Sequence, residues 1–200
     1  IREPMEQLVS VVNAAMAGFA PEHITEPKKA IYRIYRDTRF SNDKTPYKTH
    51  IAANFPRHGM DKHMAAGFYF SVSDEGIEVA GGLYMPDAPA LLAVRNHIAE
   101  HHAELKKIVT NKKLVSLLGD FYGEALSRPP KGFDPAHPAI GYLKMKQWLF
   151  YKTLDGDLMP KPTLAKEVID RLKAVAPLID FLNTPLQAKK AKLKAEDLFD

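Results

Sequence analysis

The sequence predicts an α+β domain: a mixed, largely antiparallel sheet with helices packed mainly on one face. Three observations lead there. AGFYFSVSDEGIEVAGGLYMP, residues 66–86, alternates apolar and polar residues on both sides of a turn, which is a hairpin. Amphipathic helical patterns precede and follow it. The hairpin makes the sheet at least partly antiparallel, which argues against a doubly wound parallel sheet.

The elements follow in order. Residues 4–19 are expected to be helical, because Met5, Leu8, Val12, Ala15, Met16 and Phe19 recur at spacings of three and four, and Pro4 suits a first turn. Pro21 and Pro27 mark a connection. Residues 30–36 read as a strand, since Ile31, Tyr32, Ile34 and Tyr35 favour β structure. Ser41, Asn42, Asp43 and Pro46 make 37–48 a loop leaving that strand. In the hairpin, Asp74, Glu75 and Gly76 form the turn, and Gly81-Gly82 signals a bulge or a close backbone approach.

Asp87 is placed to cap a helix over 88–104, with Pro89 in its first turn and Leu91, Val94, Ile98 and Leu105 inward. Helix or turn continues to 118. Residues 120–127 read as a strand. Residues 128–142 read as a proline-rich loop ending in a short helix, with Asp134 as its cap. WLFYKTL, 148–154, reads as a strand, and Thr163 caps a last helix to about Asn183 that Pro177 kinks or divides. Residues 1–186 are thus expected to be a single domain. The Lys- and Ala-rich stretch 187–200 reads as a basic tail or helix extension.

Composition narrows the functional classes. Hydrophobic residues at 46% and charged residues at 26% are ordinary globular values. No apolar run reaches the roughly 18–20 residues that span a bilayer, so no membrane is expected. The start, IREPMEQLVS, carries charge where a signal peptide has its apolar core. The absence of cysteine removes disulfides, thiolate chemistry and cysteine-ligated zinc, and fits a cytoplasmic location.

The net charge of +4 is unevenly placed. Residues 31–64 hold seven of the 28 bases and three of the 24 acids, so the whole excess falls within them. Arg33, Arg36 and Arg39 lie within seven residues, followed by Lys44 and Lys48. A guanidinium fork suits a carboxylate or phosphate. The expectation is a small anionic ligand held by Arg33, Arg36 and Arg39, with Lys44 and Lys48 at the rim. Asp37 would orient an arginine, and Tyr47 would donate a hydrogen bond. Tyr84 and the Gly81-Gly82 backbone are weaker candidates for an opposite wall. The competing reading is an arginine network that braces the fold through Asp37 and Asp43. Nucleic acid ranks third, because the basic patch is short and the rest of the chain is balanced.

Other chemistry is less well supported. His97 and His101 stand one helical turn apart, but Ile98 follows His97 where a metalloprotease helix needs glutamate, so no metal is expected. No nucleophile elbow, phosphate-binding glycine loop or dinucleotide fingerprint is present, and no cofactor is expected. His50, His58, His137 or Asp37 would supply the base if reaction follows binding.

The stretch Arg33-x-x-Arg36-Asp37-x-Arg39-Phe40-Ser41-x-Asp43-Lys44-x-x-Tyr47 resembles the signature of a widespread bacterial family of uncharacterised proteins, domain of unknown function 2461. Gly81-Gly82-Leu83-Tyr84-Met85-Pro86, Lys131-Gly132-Phe133-Asp134 and His137-Pro138 look like the same family. The likeness runs from about residue 4 to 183. It implies a bacterial, cytoplasmic α+β protein and supplies no activity. Members carry an extra N-terminal segment, so the resemblance implies a trimmed start.

Overall fold

The computed structural model describes residues 2–35, 47–60 and 64–196, with side chains through 187. Its centre is a four-stranded sheet, every pair antiparallel, in the order β1 (His50–Phe55), β2 (Gly67–Ser73), β3 (Gly76–Leu83), β4 (Trp148–Leu154). The helices are α1 (Arg2–Met16), α2 (Pro27–Ala30), α3 (Ala88–Glu100), α4 (His102–Val109), α5 (Lys112–Leu118), α6 (Ile140–Leu143) and α7 (Leu164–Glu196). The α+β expectation holds, and the sheet is fully antiparallel among the described residues. No described helix is long and apolar enough to cross a membrane.

The period-two pattern sorts the sheet into two faces. Phe68, Phe70, Ile77, Val79, Trp148 and Phe150 are all fully buried on one face. Val168, Leu172, Val175, Ile179 and Leu182 of α7 are equally buried, so the predicted apolar stripe is the one that seals that face. The contact is close because Gly81 has no side chain. A Cβ there would lie 2.4 Å from Val175 Cγ1 and 3.3 Å from Ile179 Cδ1. The strand register passes one to one through Gly81 and Gly82, so the pair makes a close approach rather than a bulge. Asn183 ties α7 to the loop before β2. It accepts from Ala66 N at 2.9 Å and donates to Ala66 O at 3.1 Å.

Several sequence expectations need correction. The first strand of the sheet is His50–Phe55, whereas 30–36 was expected to be a strand. Residues 27–30 form α2, and 31–35 make only two isolated bridges, Ile31 to Ala53 and Tyr35 to Tyr47. Three residues separate these bridges on one side and five on the other, so the pairing slips and no regular strand develops. Residues 120–127 are likewise reduced to bridges, Tyr122 to Leu149 and Ala125 to Met145. The helix expected over 88–104 breaks at His101, whose φ of −121° and ψ of 30° leave the helical region. The last helix runs on through Pro177 and Pro185 to Glu196. Pro177 sits on its exposed side, between turns held by buried Val175, Leu178 and Ile179. Asp87 does cap α3, accepting from Ala90 N at 2.8 Å, and Asp134 accepts from Ala136 N at 2.8 Å, ahead of the regular turn of α6.

Gly82 has φ +139°, and an added Cβ would lie 2.1 Å from Trp148 O. Gly82→Ala is therefore expected to lower stability by about 1–3 kcal/mol in urea unfolding. Gly141→Ala, in α6 with open space around it, is expected to be neutral or slightly stabilising. Equal stability of the two variants would contradict this packing.

Candidate functional site

The outer edge of β1 meets residues 31–35, the start of the basic segment. Tyr32 N donates to Ala52 O at 2.9 Å, and Lys48 N donates to Ile34 O at 2.8 Å. These bonds and the Tyr35–Tyr47 bridge draw 31–35 alongside 47–53, and so bring Arg33 and Lys48 to one edge. The Tyr35 and Tyr47 rings lie 5.4 Å apart, tilted at 40°. Both are exposed, by 59% and 54%, which leaves their faces and hydroxyls open to a ligand. Lys48 Nζ stands 5.5 Å above the Tyr32 ring, within cation–π range.

Charge at this edge is poorly balanced. Residues 31–35 and 47–60 contain Arg33, Lys48 and Arg57 and no acid. Arg57 is neutralised from elsewhere: its Nη1 donates to Glu22 Oε1 at 2.9 Å, in a part-buried pair. Arg33 is exposed, and among the described residues it has no ion pair. Arg36, Asp37, Arg39 and Lys44 lie outside the described residues, so the clamp and its orienting acid are named here only by sequence. Tyr84 is not brought to this edge. It follows the last residue of β3, whereas Tyr35 and Tyr47 adjoin the end of the sheet where His50, Ser73 and Gly76 pair. Gly81-Gly82 likewise serves the contact with α7 and β4.

Tyr32 also leads onto the face of the sheet opposite α7. One row there runs Asn54, Tyr69, Ala80, Tyr151 across the four strands. Tyr122 meets the Tyr151 ring edge-on at 5.7 Å. In the next row Ser71 Oγ donates to Glu78 Oε2 at 3.2 Å. Burial raises the Tyr69 phenol above its ordinary value, and the charges of Glu78 and Tyr32 add to that rise, while a hydrogen bond with Ser71 opposes it. Burial also raises Tyr32. This face is thus aromatic, with small Ala80 between half-buried Tyr69 and exposed Tyr151. The only sign of this surface in the sequence is the alternation that places Tyr69 and Ser71 opposite Phe68 and Phe70.

The remaining candidate residues are engaged elsewhere. His58 Nε2 donates to Ile24 O, and His137 Nδ1 accepts from Ala139 N at 3.0 Å. His97 and His101 stack at 4.5 Å, with His97 also against Phe181 at 4.5 Å. Among the described residues no group of three side chains could hold a metal.

A polar cluster not anticipated from the sequence joins the end of β1 to the turn at residues 21–23. His23 is fully buried, and its Nδ1 donates to Phe55 O at 3.0 Å. Burial pushes its pKa down, against the Phe55 bond and Glu22, which raise it. Burial pushes the adjacent Glu22 carboxyl up, but its own backbone N–H and Arg57 outweigh that, and the net shift is down.

A four-stranded antiparallel sheet with α7 packed on one face defines the class: an α+β protein. The chain belongs to the family DUF2461, conserved hypothetical protein, whose family model matches residues 1–181. No curated protein and no solved structure matches it.

The buried imidazole sets a pH dependence. His23 is held neutral in the fold, whereas the unfolded chain takes up a proton near 6.5. Stability is fully present above that value and falls as pH drops below it. In urea unfolding between about pH 5 and 7, His23→Gln is expected to flatten this slope, leaving the share due to His97, which burial also lowers. An unchanged slope would contradict a neutral buried His23.

Proposed function

We propose that this protein binds a small anionic ligand, phosphate- or carboxylate-bearing, at the outer edge of β1. The observation that carries the reading is the Tyr35–Tyr47 bridge. It draws together two exposed rings, Arg33 and Lys48, in a stretch where the described residues contain no acid. Arg33 supplies a planar fork, and Lys48 a point charge oriented over Tyr32. Arg36, Arg39 and Lys44 belong to the eleven residues joining Tyr35 to Tyr47, and sequence proximity assigns them to the same ligand. Asp37 orients one of those guanidinium groups, and Tyr47 donates a hydroxyl hydrogen bond. The exposed tyrosines next to these cations suit an anion that also carries an apolar or ring-shaped part.

This arrangement is a binding site first. A reaction there would need a base, and Asp37 and His50 are the candidates that the chain supplies near it. The bracing alternative accounts well for Arg57, which is paired with Glu22, and poorly for exposed Arg33.

Inorganic phosphate and a small carboxylate such as citrate are expected to raise the melting temperature of the protein, with the rise saturating as sites fill. Arg33→Ala is expected to remove most of that rise while changing intrinsic stability by no more than about 0.5 kcal/mol, as for an exposed side chain. A loss of several kcal/mol without any anion effect would establish the bracing role instead. Single-stranded DNA binding that weakens steeply with salt would favour nucleic acid.

A further inference from the structure

The inner stripe of α3 contains a charge. Ala90, Val94 and Ile98 are buried as a core stripe requires, and Arg95 is buried among them, with 8% of its surface exposed. Its Nη2 donates to Met145 O at 3.0 Å. Its Nε is buried and has no hydrogen-bond partner. Among the described residues no carboxylate pairs with it, and burial alone lowers its pKa.

The surroundings are basic as well. Met145 lies two residues beyond α6, and His137 lies three residues before it. The His137 ring meets His102 edge-on at 5.4 Å, and His102 Nδ1 is also buried without a partner. Residues 128–146 carry Arg128, Lys131, Lys144 and Lys146 against the single acid Asp134. The nearby carboxylate of Glu124 is turned to Lys146, at 3.5 Å.

Burying a charge without a counter-charge costs several kcal/mol, and methionine or leucine would fill the same stripe without that cost. A guanidinium kept here with a free Nε–H, oriented through its other arm by a backbone carbonyl, is arranged to receive an acceptor. A cation is excluded by the charge of Arg95 itself. An apolar guest would leave Nε–H unpaired and so gain nothing from the arginine.

We infer that Arg95 anchors a second anion site, between α3 and the segment 134–146, which takes a carboxylate or phosphate oxygen on its Nε–H. Met145 fixes the plane of the fork, and an anion oxygen completes it in the charge-assisted geometry that arginine favours. His102 and His137 stand at the other end of α6, where a longer ligand would reach them. This site is separate from the β1 edge: Met145 lies three residues before β4, at the opposite edge of the sheet order from Arg33.

The test follows the Arg95 Nε–H resonance directly. In 15N-labelled protein this signal is assigned through its own side-chain carbons and titrated with inorganic phosphate and, separately, acetate. The expected result is a saturable downfield shift with slowed exchange against solvent, in wild type and equally in Arg33→Ala. In Arg95→Lys, the phosphate-induced stabilisation that survives Arg33→Ala should be lost. A signal that neither anion moves would overturn the proposal and leave Arg95 as a brace on Met145. A shift that disappears in Arg33→Ala would overturn the separateness of the two sites. A shift in wild type that persists when Arg33→Ala has no effect on melting would leave this site standing and remove the one on the β1 edge.

Discussion

The close contact between α7 and β3 is the constraint from which the rest of the structure follows. Gly81 leaves room for Val175 and Ile179 to lie directly on the strand backbone. That contact commits one face of the sheet to the core, because a strand cannot present the same residues to both sides. Every alternate residue is thereby turned to the other face, where no described helix lies. Tyr69, Ala80 and Tyr151 lie on that face as a consequence of what Gly81 packs against, with Tyr151 exposed and Tyr69 and Ala80 half-buried. Asn183 fixes the same helix to Ala66 through two hydrogen bonds, so the relation of α7 to β2 is held at a second, polar point.

Against this rigid centre, the placement of charge separates structural from functional candidates. Arg57 and Glu22 form a part-buried pair whose partners satisfy each other, and Glu22 stays ionised because its backbone N–H and Arg57 outweigh its burial. Such a pair needs no ligand to explain it. Arg33 and Lys48 are different. They stand at an irregular edge where the pairing slips and the rings of Tyr35 and Tyr47 are open to solvent. Arg95 is different again, since it is buried and holds only a carbonyl. The slip at the edge is itself useful to a site, because regular strand pairing would commit the backbone groups that an irregular edge leaves available.

The sequence revealed what rests on local periodicity and missed what rests on long-range pairing. The β2–β3 hairpin, β4, α1 and the apolar stripe of α7 all follow from spacing and turn residues, and the structure contains them. The first strand was placed twenty residues too early. Ile31, Tyr32, Ile34 and Tyr35 have high strand propensity, but a strand also needs a partner in steady register, and 31–35 lack one. His50–Phe55 has less obvious composition, with two alanines, yet Ile51, Ala53 and Phe55 alternate inward and gain β2 as a partner. The buried polar residues were legible only as exceptions. Arg95 interrupts an apolar stripe and Asn183 sits between Leu182 and Leu186, and in each case the sequence marks an oddity without showing its partner. The basic segment was legible in full as composition, and the structure adds the edge to which its two ends are tied.

The central claim is that this edge holds positive charge which the described residues leave without counter-charge and an anion completes. Mapping backbone amide resonances during a titration with inorganic phosphate tests it most directly. The account predicts saturable shifts concentrated at residues 31–35 and 47–50, with the far end of β3 around Tyr84 unmoved. Shifts absent from that edge, or weak, unsaturated and spread over the surface, would contradict it.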